Sequence, residues 1–473
     1  MEFYILKRRK SALWAGIIAL AMGFTLNMSG AQAAESASDG VRINFGQTAV
    51  HTEKTAPQVT KVQAAPVVQK NEGQPMTKLK NVQLMWKEIP SAVRYQVVIL
   101  KSAEDTPENI VLTYEQVYTN GLTVDLSGFG PEANGFYWKI CPLDYNGRPV
   151  GNWHFTKPRA ITDGGKINVT APRPTTQFER MDYMPLYPVF SWIPYGRAKQ
   201  HEVQVYKVTA EGDQLIRTLQ GGEYDVYEDG GYHTPGKYYW RVRSLNSDGG
   251  PLSGWSEKSY FTISGEATPI AALGDSITHG GGAMSVSPGY LLYDWESYSQ
   301  VPVKNLGYSG NTTAAMLERF ERDVLPASPR VLVVMGGVND YRLGTFGSHT
   351  VANLQAIKEK CDAYGIIVVF LTVTPINPSY MVNRAHIEQP PYDWQMHQQY
   401  INSWIMKQQY HLDVSTALTD SLGNLRTSYT TDGLHPDYYG KKYIGEQVGR
   451  YLQMHFAWIT NKLKKKPIPT YND

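Results

Sequence analysis

One serine of the sequence stands where a catalytic nucleophile is expected. Ser276 follows a short apolar run at residues 270–273, and a glycine-rich turn continues beyond it. The run predicts a buried strand, and the end of a central strand in an open α/β sheet borders the crevice in which ligands bind. A serine hydroxyl at that position is suited to nucleophilic attack. Considered alone, Gly274-Asp275-Ser276 is also what an ordinary turn contains.

Three later segments distinguish this serine from one in a chance turn. Residues 305–312 read NLGYSGNT after a second strand-like run, residues 336–340 read GGVND after a third, and residues 432–436 read DGLHP. Together with Gly-Asp-Ser they resemble the four blocks of the SGNH (GDSL-type) hydrolase family, over about residues 265–462. The residues that match the blocks are Ser276, Gly307, Asn339 and His435, with Asp432 three residues before the histidine.

The resemblance implies a serine ester hydrolase that works through an acyl-enzyme. Ser276 would attack the ester, His435 would remove its proton as the general base, and Asp432 would orient the imidazole. The resemblance also implies an oxyanion hole with three donors: the backbone N–H groups of Ser276 and Gly307 and the side-chain amide of Asn339. A glycine lets its backbone approach a substrate closely, and a neutral amide donates without titrating.

Other polar and aromatic residues near these blocks have open roles. His279 and Asp340 flank the blocks and are either structural or in contact with substrate. Residues 377–394 interrupt the expected alternation of strands and helices and contain Tyr, Arg, His and Trp side chains. This insertion either overhangs the site and shapes its acyl or alcohol pocket, or is an ordinary surface loop.

The sequence around the blocks alternates between apolar runs and amphipathic stretches. The runs at 270–273, 303–306, 331–335 and 366–371 are nearly continuous in Val, Ile and Leu, as parallel strands buried on both faces should be. Apolar residues at helical spacing occupy 316–324, 354–361 and 444–452. Residues 265–462 are therefore predicted to form an α/β/α domain with a parallel sheet, which matches the flavodoxin-like fold of the SGNH family, before a tail at 463–473.

The first half of the chain contains an internal repeat. Trp86 and Trp192 are each followed by two valine or isoleucine residues at offsets of eleven and thirteen, and Trp138 to Trp153 repeats the spacing of Trp240 to Trp255. Alternating apolar residues and Asn-Gly or Asp-Gly turns predict two β-sandwiches, at 77–163 and 164–264, which resemble fibronectin type III domains.

These tryptophans have two interpretations. Alternation with other apolar residues favours the cores of the sandwiches over a sugar-binding platform. The pattern assigns Trp153 and Trp255 least strongly to the cores, because they stand beside small polar residues. Because the repeat looks self-contained and every catalytic candidate lies after residue 270, we expect the sandwiches to bury their own cores and the catalytic domain to act without them.

The N-terminus has the pattern of an export signal. A basic segment at residues 7–10 precedes an apolar run at about 12–28 and a small-residue cleavage site at 31–33. This predicts a signal peptide at 1–33 and a secreted, periplasmic or cell-surface protein with no stable membrane span after cleavage. Thr-, Gln-, Pro- and Lys-rich residues 34–76 are expected to be a flexible linker.

Composition and spacing argue against several classes of partner. The net charge is +2, and residues 1–33 hold four basic residues and one acidic one, so the exported chain would be near neutral and gives no case for nucleic acid. The histidines lack metal-ligand spacing, and no phosphate-binding or dinucleotide motif occurs, so we expect no metal and no cofactor. The two cysteines, Cys141 and Cys361, are expected to be buried free thiols.

The sequence therefore favours an exported hydrolase of short acyl esters, in particular O-acetyl or similar groups on carbohydrate, with possible glycan or cell-surface contact through the sandwiches. The preference for carbohydrate rests on analogy with other multidomain enzymes. A lysophospholipase or thioesterase-type acyl hydrolase is the alternative within the same chemistry. A non-catalytic surface protein that binds glycans or mediates adhesion is the alternative from another class.

Overall fold

The structure is a computed structural model that describes residues 59–61, 79–163, 165–176, 178–282 and 286–467. The predicted signal peptide, most of the predicted linker and the end of the predicted tail lie outside these residues. Residues 59–61 fall within the predicted linker but form strand β1, which pairs with a later strand. Within the described part of the chain, no helix is both long enough and apolar enough to cross a membrane.

The first β region consists of antiparallel strands in two sheets. One sheet has the order β1-β4-β3-β6-β7 and the other the order β5-β2-β8. The strands are Val59–Lys61 (β1), Asn81–Met85 (β2), Arg94–Leu100 (β3), Ile110–Val117 (β4), Gly121–Asp125 (β5), Tyr137–Leu143 (β6), Arg159–Ala160 (β7) and Gly165–Ile167 (β8). Their alternating apolar residues fill the space between the sheets with one continuous core.

The second β region repeats this arrangement with sheets of order β13-β10-β9 and β12-β11-β14-β15. Its strands are Arg173–Pro174 (β9), Val189–Ile193 (β10), Gln200–Lys207 (β11), Gln214–Gly221 (β12), Asp225–Tyr227 (β13), Gly236–Leu245 (β14) and Ser259–Ile263 (β15). All pairings in both regions are antiparallel. We refer to residues 79–167 and 173–263 as the first and second β modules.

Most of the repeated tryptophans are core residues. Trp138, Trp192 and Trp240 are almost fully buried, which confirms the core interpretation for these three. Trp86 and Trp153 are partly buried against the core of the first module. Trp255 is also partly exposed, and the guanidinium groups of Arg241 and Arg243 lie over its ring at 4.4 and 4.6 Å from the centroid.

The C-terminal domain has a five-stranded parallel sheet of order β17-β16-β18-β19-β20. The strands are Ile270–Gly274 (β16), Lys304–Gly307 (β17), Val331–Met335 (β18), Ile367–Leu371 (β19) and His411–Leu412 (β20). Each predicted run became a strand, and the shifts at the ends are one residue. Strand β16 lies between β17 and β18, so the loop after it leaves an internal strand of the sheet at its carboxyl end, where ligands bind in open α/β sheets.

Helices connect and cover these strands. They are Ser276–His279 (α1), Thr313–Glu318 (α2), Phe320–Asp323 (α3), Val338–Arg342 (α4), Gly347–Ala363 (α5), Pro378–Asn383 (α6), Trp394–Ile405 (α7), Ser415–Leu418 (α8), Tyr438–His455 (α9) and Ala457–Thr460 (α10). The predicted helix at 316–324 is divided into α2 and α3 at Arg319, although its three apolar residues are all buried. Both cysteines are buried and free, as expected.

The second β module and the C-terminal domain exchange core residues, which differs from the expectation of self-contained cores. Leu186 and Tyr187, just before β10, are buried in the core of the C-terminal domain. In return Leu291, which follows α1, packs into the core of the second module. The backbone N–H of Leu186 also donates to the carbonyl of Asn305 at 3.0 Å. Neither core is complete without the other.

This exchange predicts that a substitution in the module will destabilise the C-terminal domain. Truncation of the buried Tyr187 to alanine should lower the free energy of unfolding of that domain by about 3–5 kcal/mol, because it leaves a cavity in the domain's own core. Leu215→Ala, on an exposed position of β12, is the matched control and should change little. Amide hydrogen exchange in β16 and β18 measures the effect. Unchanged exchange in those strands would contradict the shared core.

Candidate active site

The fold presents Ser276 at the start of a short helix. Strand β16 ends at Gly274, and the carboxylate of Asp275 caps α1 by accepting the N–H of Ile277 at 2.9 Å. Ser276 is the first residue of α1, where a backbone N–H has no partner within the helix. Its side chain is largely buried, with 4% of the residue exposed. The serine is therefore shielded from water, at the N-terminus of α1.

Ser276 is one end of a hydrogen-bonded chain of three side chains. Its Oγ lies 2.9 Å from Nε2 of His435, and Nδ1 of the same ring lies 2.7 Å from Oδ2 of Asp432. Because Nδ1–H donates to the carboxylate, Nε2 is left to accept the serine proton. The structure thus brings together the three residues that the sequence singled out for acyl transfer, over 159 positions of the chain.

The loop that carries Asp432 and His435 is held by its own hydrogen bonds. Oδ1 of Asp432 accepts the backbone N–H groups of Leu434 and His435, both at 2.8 Å. Burial opposes ionisation of Asp432, but the nearby His435 and these hydrogen bonds outweigh it, so its pKa lies below the ordinary value. The carboxylate is therefore ionised and able to stabilise an imidazolium during the reaction.

Asn339, the third predicted oxyanion donor, lies fully buried in the first turn of α4. Its Nδ2 donates to the carbonyl of Asn311 at 2.9 Å, and its Oδ1 accepts from Nε of Arg342 at 3.0 Å. Arg342 thereby fixes which way the amide faces and leaves the second N–H of Nδ2 for an oxyanion. This buried arginine was not among the candidate site residues predicted from sequence. The only available signal was its position three residues after Asn339.

The structure does not support Gly307 as an open oxyanion donor. Its backbone N–H donates to Oδ1 of Asn305 at 2.8 Å in a local turn. A Cβ at position 307 would lie 2.2 Å from the backbone nitrogen of His279, so this glycine is required for close packing of β17 against α1. The assignment of Gly307 to the oxyanion hole is corrected on these grounds.

Gly310 has the properties that Gly307 lacks. It has φ of 85° and is partly exposed, and within the described residues its N–H makes no hydrogen bond. The next residue is Asn311, whose carbonyl receives the amide of Asn339. An unpaired backbone donor beside Asn339, in a conformation that favours glycine, is the better candidate for the second backbone donor.

The two flanking residues are structural. Both carboxylate oxygens of Asp340 accept hydrogen bonds from Thr313, from its hydroxyl at 2.5 Å and from its N–H at 2.9 Å. The imidazole of His279 is bonded through both ring nitrogens, to Ser309 and to the carbonyl of Tyr187. Both side chains thus make hydrogen bonds within the protein itself.

The insertion at 377–394 packs on the loop that carries Asp432 and His435. The backbone N–H of Asn377 donates to the carbonyl of Gly433 at 2.6 Å, and a Cβ on Gly433 would meet Tyr380 at 2.8 Å. Farther along, Arg384 stacks on Tyr380 and lies 5.1 Å from the ring of Tyr145 of the first module. The insertion is therefore attached to the catalytic loop at one end. Its role in shaping an acyl or alcohol pocket stays a prediction.

Comparison with known proteins agrees with this geometry. The model of the GDSL-like lipase/acylhydrolase family matches residues 272–443. This segment is a GDSL-like acylhydrolase domain. It contains Ser276, Asn339, Asp432 and His435, and the family hydrolyses ester bonds. No curated protein matches the chain.

Solved structures similar to the chain include three esterases or lipases. A lipase/acylhydrolase from Enterococcus faecalis is 22% identical, with 42% of this chain and 98% of that chain covered and a TM-score of 0.32. A GDSL-like lipase from Bacteroides thetaiotaomicron is 20% identical over 39% and 87%, with a TM-score of 0.31. A catalytic variant of an acetylxylan esterase from Geobacillus stearothermophilus is 17% identical over 40% and 94%, with a TM-score of 0.29.

A buried lysine of the acylhydrolase domain contacts the short helix that begins at Ser276. Lys441 lies on α9, is fully buried, and donates from Nζ to the carbonyl of Ile277 at 2.6 Å. Burial lowers its pKa to about 8, although four carboxylates, those of Asp294, Glu296, Asp275 and Asp432, favour its charged form. A lysine on the apolar face that contains Ile444 and Val448 was the signal for this residue, and the sequence analysis passed over it.

Burial also makes several carboxyl groups near Lys441 harder to ionise. Burial raises the pKa of Asp275 to about 6 and those of Asp294 and Asp437 to about 7. Asp294 nevertheless has a structural role, because its Oδ1 accepts the N–H of Gly281 at 3.3 Å in the glycine turn after α1. Among the described residues, no group of three His, Cys, Asp or Glu side chains is placed to hold a metal ion.

The raised pKa of Asp294 predicts how stability depends on pH. Between about pH 4, its ordinary pKa, and pH 7, the folded chain retains a proton that the unfolded chain has lost. Stability therefore falls as pH rises through that window. Asp294→Asn keeps the acceptor for Gly281 without the ionisation, so its melting temperature relative to wild type should rise from pH 4.5 to about pH 7.5. Asp248→Asn, in an exposed turn, is the control. A difference that does not change with pH would contradict the assignment.

Proposed function

We propose that the protein is an exported serine ester hydrolase that removes short acyl groups, such as O-acetyl groups, from carbohydrate. The observation that carries the proposal is the hydrogen-bonded chain Ser276–His435–Asp432, with contacts of 2.9 and 2.7 Å. That chain occurs in a domain whose family hydrolyses esters.

The geometry supports a two-step mechanism. His435 Nε2 removes the proton of Ser276 as Oγ bonds to the ester carbonyl carbon, and the imidazolium then gives that proton to the departing alcohol oxygen. The product of this step is an acyl-serine. A water molecule attacks the acyl carbon with His435 again as base, and the carboxylate and the free serine result. Asp432 remains ionised and holds the ring throughout.

The oxyanion formed in each step needs donors placed in advance. We assign this role to the backbone N–H groups of Ser276 and Gly310 and to the second N–H of the Asn339 amide. Ser276 and Gly310 have N–H groups without partners in the described chain, and Arg342 orients the amide. Donors aimed at developing charge in a buried site are worth more than donors in water, because they need no reorganisation during the reaction.

Burial of the site favours a small acyl group. Ser276, His435 and Asn339 are all nearly inaccessible, so little free surface surrounds the position where an acyl chain would lie. A polymeric alcohol is supported by the two β modules, which we propose to be fibronectin type III-like, and by the predicted signal peptide at 1–33. Contact of the modules with glycan or a cell surface is part of the proposal.

A panel of substrates tests the proposal. Chromogenic esters with acyl chains from two to twelve carbons should be hydrolysed fastest at two carbons, and acetylated polysaccharide should release acetate. Ser276→Ala should lose several orders of magnitude in kcat in both assays while remaining folded. Fastest turnover of long acyl chains, or of acyl thioesters, would instead identify a lipid or thioester hydrolase. Binding of glycans without any hydrolysis would identify an adhesion protein.

A further inference from the structure

The second β module contacts the acylhydrolase domain at the residues that would hold the oxyanion donors. We propose that Tyr187 of this module is a positioning residue for the oxyanion hole, so that the module is part of the catalytic unit. The inference rests on the proposed function. Tyr187 is connected to the site through three groups: its backbone carbonyl, its ring and its hydroxyl. Each group is connected to a different part of the site.

The backbone carbonyl of Tyr187 contacts the loop that ends at Gly310 through His279. The carbonyl oxygen accepts a hydrogen bond from Nε2 of His279 at 2.6 Å, which places the ring proton on Nε2. Nδ1 then accepts the backbone N–H of Ser309 at 3.1 Å and lies 2.8 Å from its hydroxyl. Ser309 immediately precedes Gly310, so the peptide that carries the Gly310 N–H is fixed through one imidazole to the module.

The ring of Tyr187 packs on the same loop. It makes an edge-to-face contact with Tyr308, with ring centroids 4.6 Å apart and planes at 90°. The backbone N–H of Tyr308 donates to the carbonyl of Gly274, two residues before Ser276. A second module residue, Tyr227 on β13, places its ring edge-to-face with His279 at 5.8 Å. The module thus packs against both the nucleophile turn and the loop that ends at Gly310.

The hydroxyl of Tyr187 is connected to Asn339, the third donor, through a series of hydrogen bonds. It donates to Oδ2 of Asp323 at 2.7 Å, and Asp323 accepts from Nη1 of Arg319 at 3.1 Å. Nε of Arg319 donates to the side chain of Asn311 at 2.6 Å. The carbonyl of the same Asn311 receives the amide of Asn339 at 2.9 Å.

The side chains that connect Tyr187 to Asn311 are buried, so the hydrogen bonds between them are protected from exchange with water. Burial lowers the pKa of Arg319, and the negative charge of Asp323 opposes that shift, so the pairing offsets part of the cost of burying the guanidinium. Arg319 also donates from Nη2 to the carbonyl of Gly274 at 2.9 Å. The strand end before Ser276, Asn311 and Tyr187 are therefore connected through one guanidinium.

An oxyanion hole is sensitive to such connections because its donors act over about 3 Å, and misplacement by about 1 Å can cost 10²-fold in rate. Substrate binding elsewhere in the crevice does not depend on the donors in the same way. Loosening of Tyr187 or His279 should therefore lower kcat and leave KM nearly unchanged.

The test uses full-length variants and kcat per active site titrated with a fluorophosphonate. His279→Asn places an amide where Nδ1 was, so it can still meet Ser309 but is too short to reach the carbonyl of Tyr187. Tyr187→Phe keeps the ring and the carbonyl and removes the two hydrogen bonds of the hydroxyl, the one donated to Asp323 and the one accepted from Arg322. The matched controls are His154→Asn and Tyr260→Phe, both at exposed positions of the modules. Asn339→Ala removes a donor itself and sets the scale, at roughly 10²- to 10³-fold in kcat.

His279→Asn should lower kcat about 10-fold and Tyr187→Phe about 3- to 10-fold, with KM within about 2-fold of wild type and both controls unchanged. A purely structural role would lower the melting temperature and leave kcat per titrated site at the wild-type value, which would overturn the positioning role. If Ser276→Ala is inactive while His279→Asn and Tyr187→Phe are fully active, the positioning role is overturned and the proposed function stands. Wild-type activity of Ser276→Ala would overturn the proposed function itself.

Discussion

The hydrogen bond between Oγ of Ser276 and Nε2 of His435 constrains most of the acylhydrolase domain. The two residues come from opposite ends of the domain, and a bond of 2.9 Å requires that β16, α1 and the loop before α9 keep a fixed relation. Asp432 fixes the loop by accepting two of its backbone N–H groups as well as the imidazole. Lys441, in the first turn of α9, donates a hydrogen bond to the carbonyl of Ile277 in α1 and so connects these two parts of the domain.

The interior that surrounds this buried bond contains several other ionisable side chains. The lysine beneath α1 is surrounded by carboxyl groups, and burial raises the pKa of three of them to between about 6 and about 7. Burial thereby opposes ionisation of these carboxyl groups, while Lys441 favours their charged forms. On the other side, Arg319, Asp323 and Tyr187 form a buried chain of hydrogen bonds that crosses from the acylhydrolase domain into the second β module. The second β module is consequently joined to the acylhydrolase domain by buried hydrogen bonds as well as by the chain connection between them.

Much of this could be predicted from sequence because it depends on local pattern. The run at 331–335 is strand β18, and the runs at 270–273 and 366–371 differ from their strands by one residue, since continuous Val and Ile have few alternatives to a buried parallel strand. The proximity of Ser276, Asp432 and His435 followed from the resemblance of short blocks. Their catalytic role stays a prediction.

Other features depend on contacts that no local pattern contains. Gly307 and Gly310 both lie in the second block, and only the side chain of Asn305 decides that the N–H of Gly307 is occupied. Tyr187 reads as one more apolar residue before a sandwich strand, yet its carbonyl binds a histidine 92 positions away. Arg342 and Lys441 were passed over because a charge on an apolar helix face is informative only when its partner is known.

The central claim is that Ser276 carries the acyl group between the two chemical steps. It is tested most directly by mixing the full-length enzyme with excess activated acetate ester, quenching in acid within one turnover, and mapping the peptides by mass spectrometry. The account predicts one acetyl group per chain, on Ser276, which disappears as the ester is exhausted. Ester hydrolysis with no acylated peptide, or with the acyl group on another residue, would contradict it.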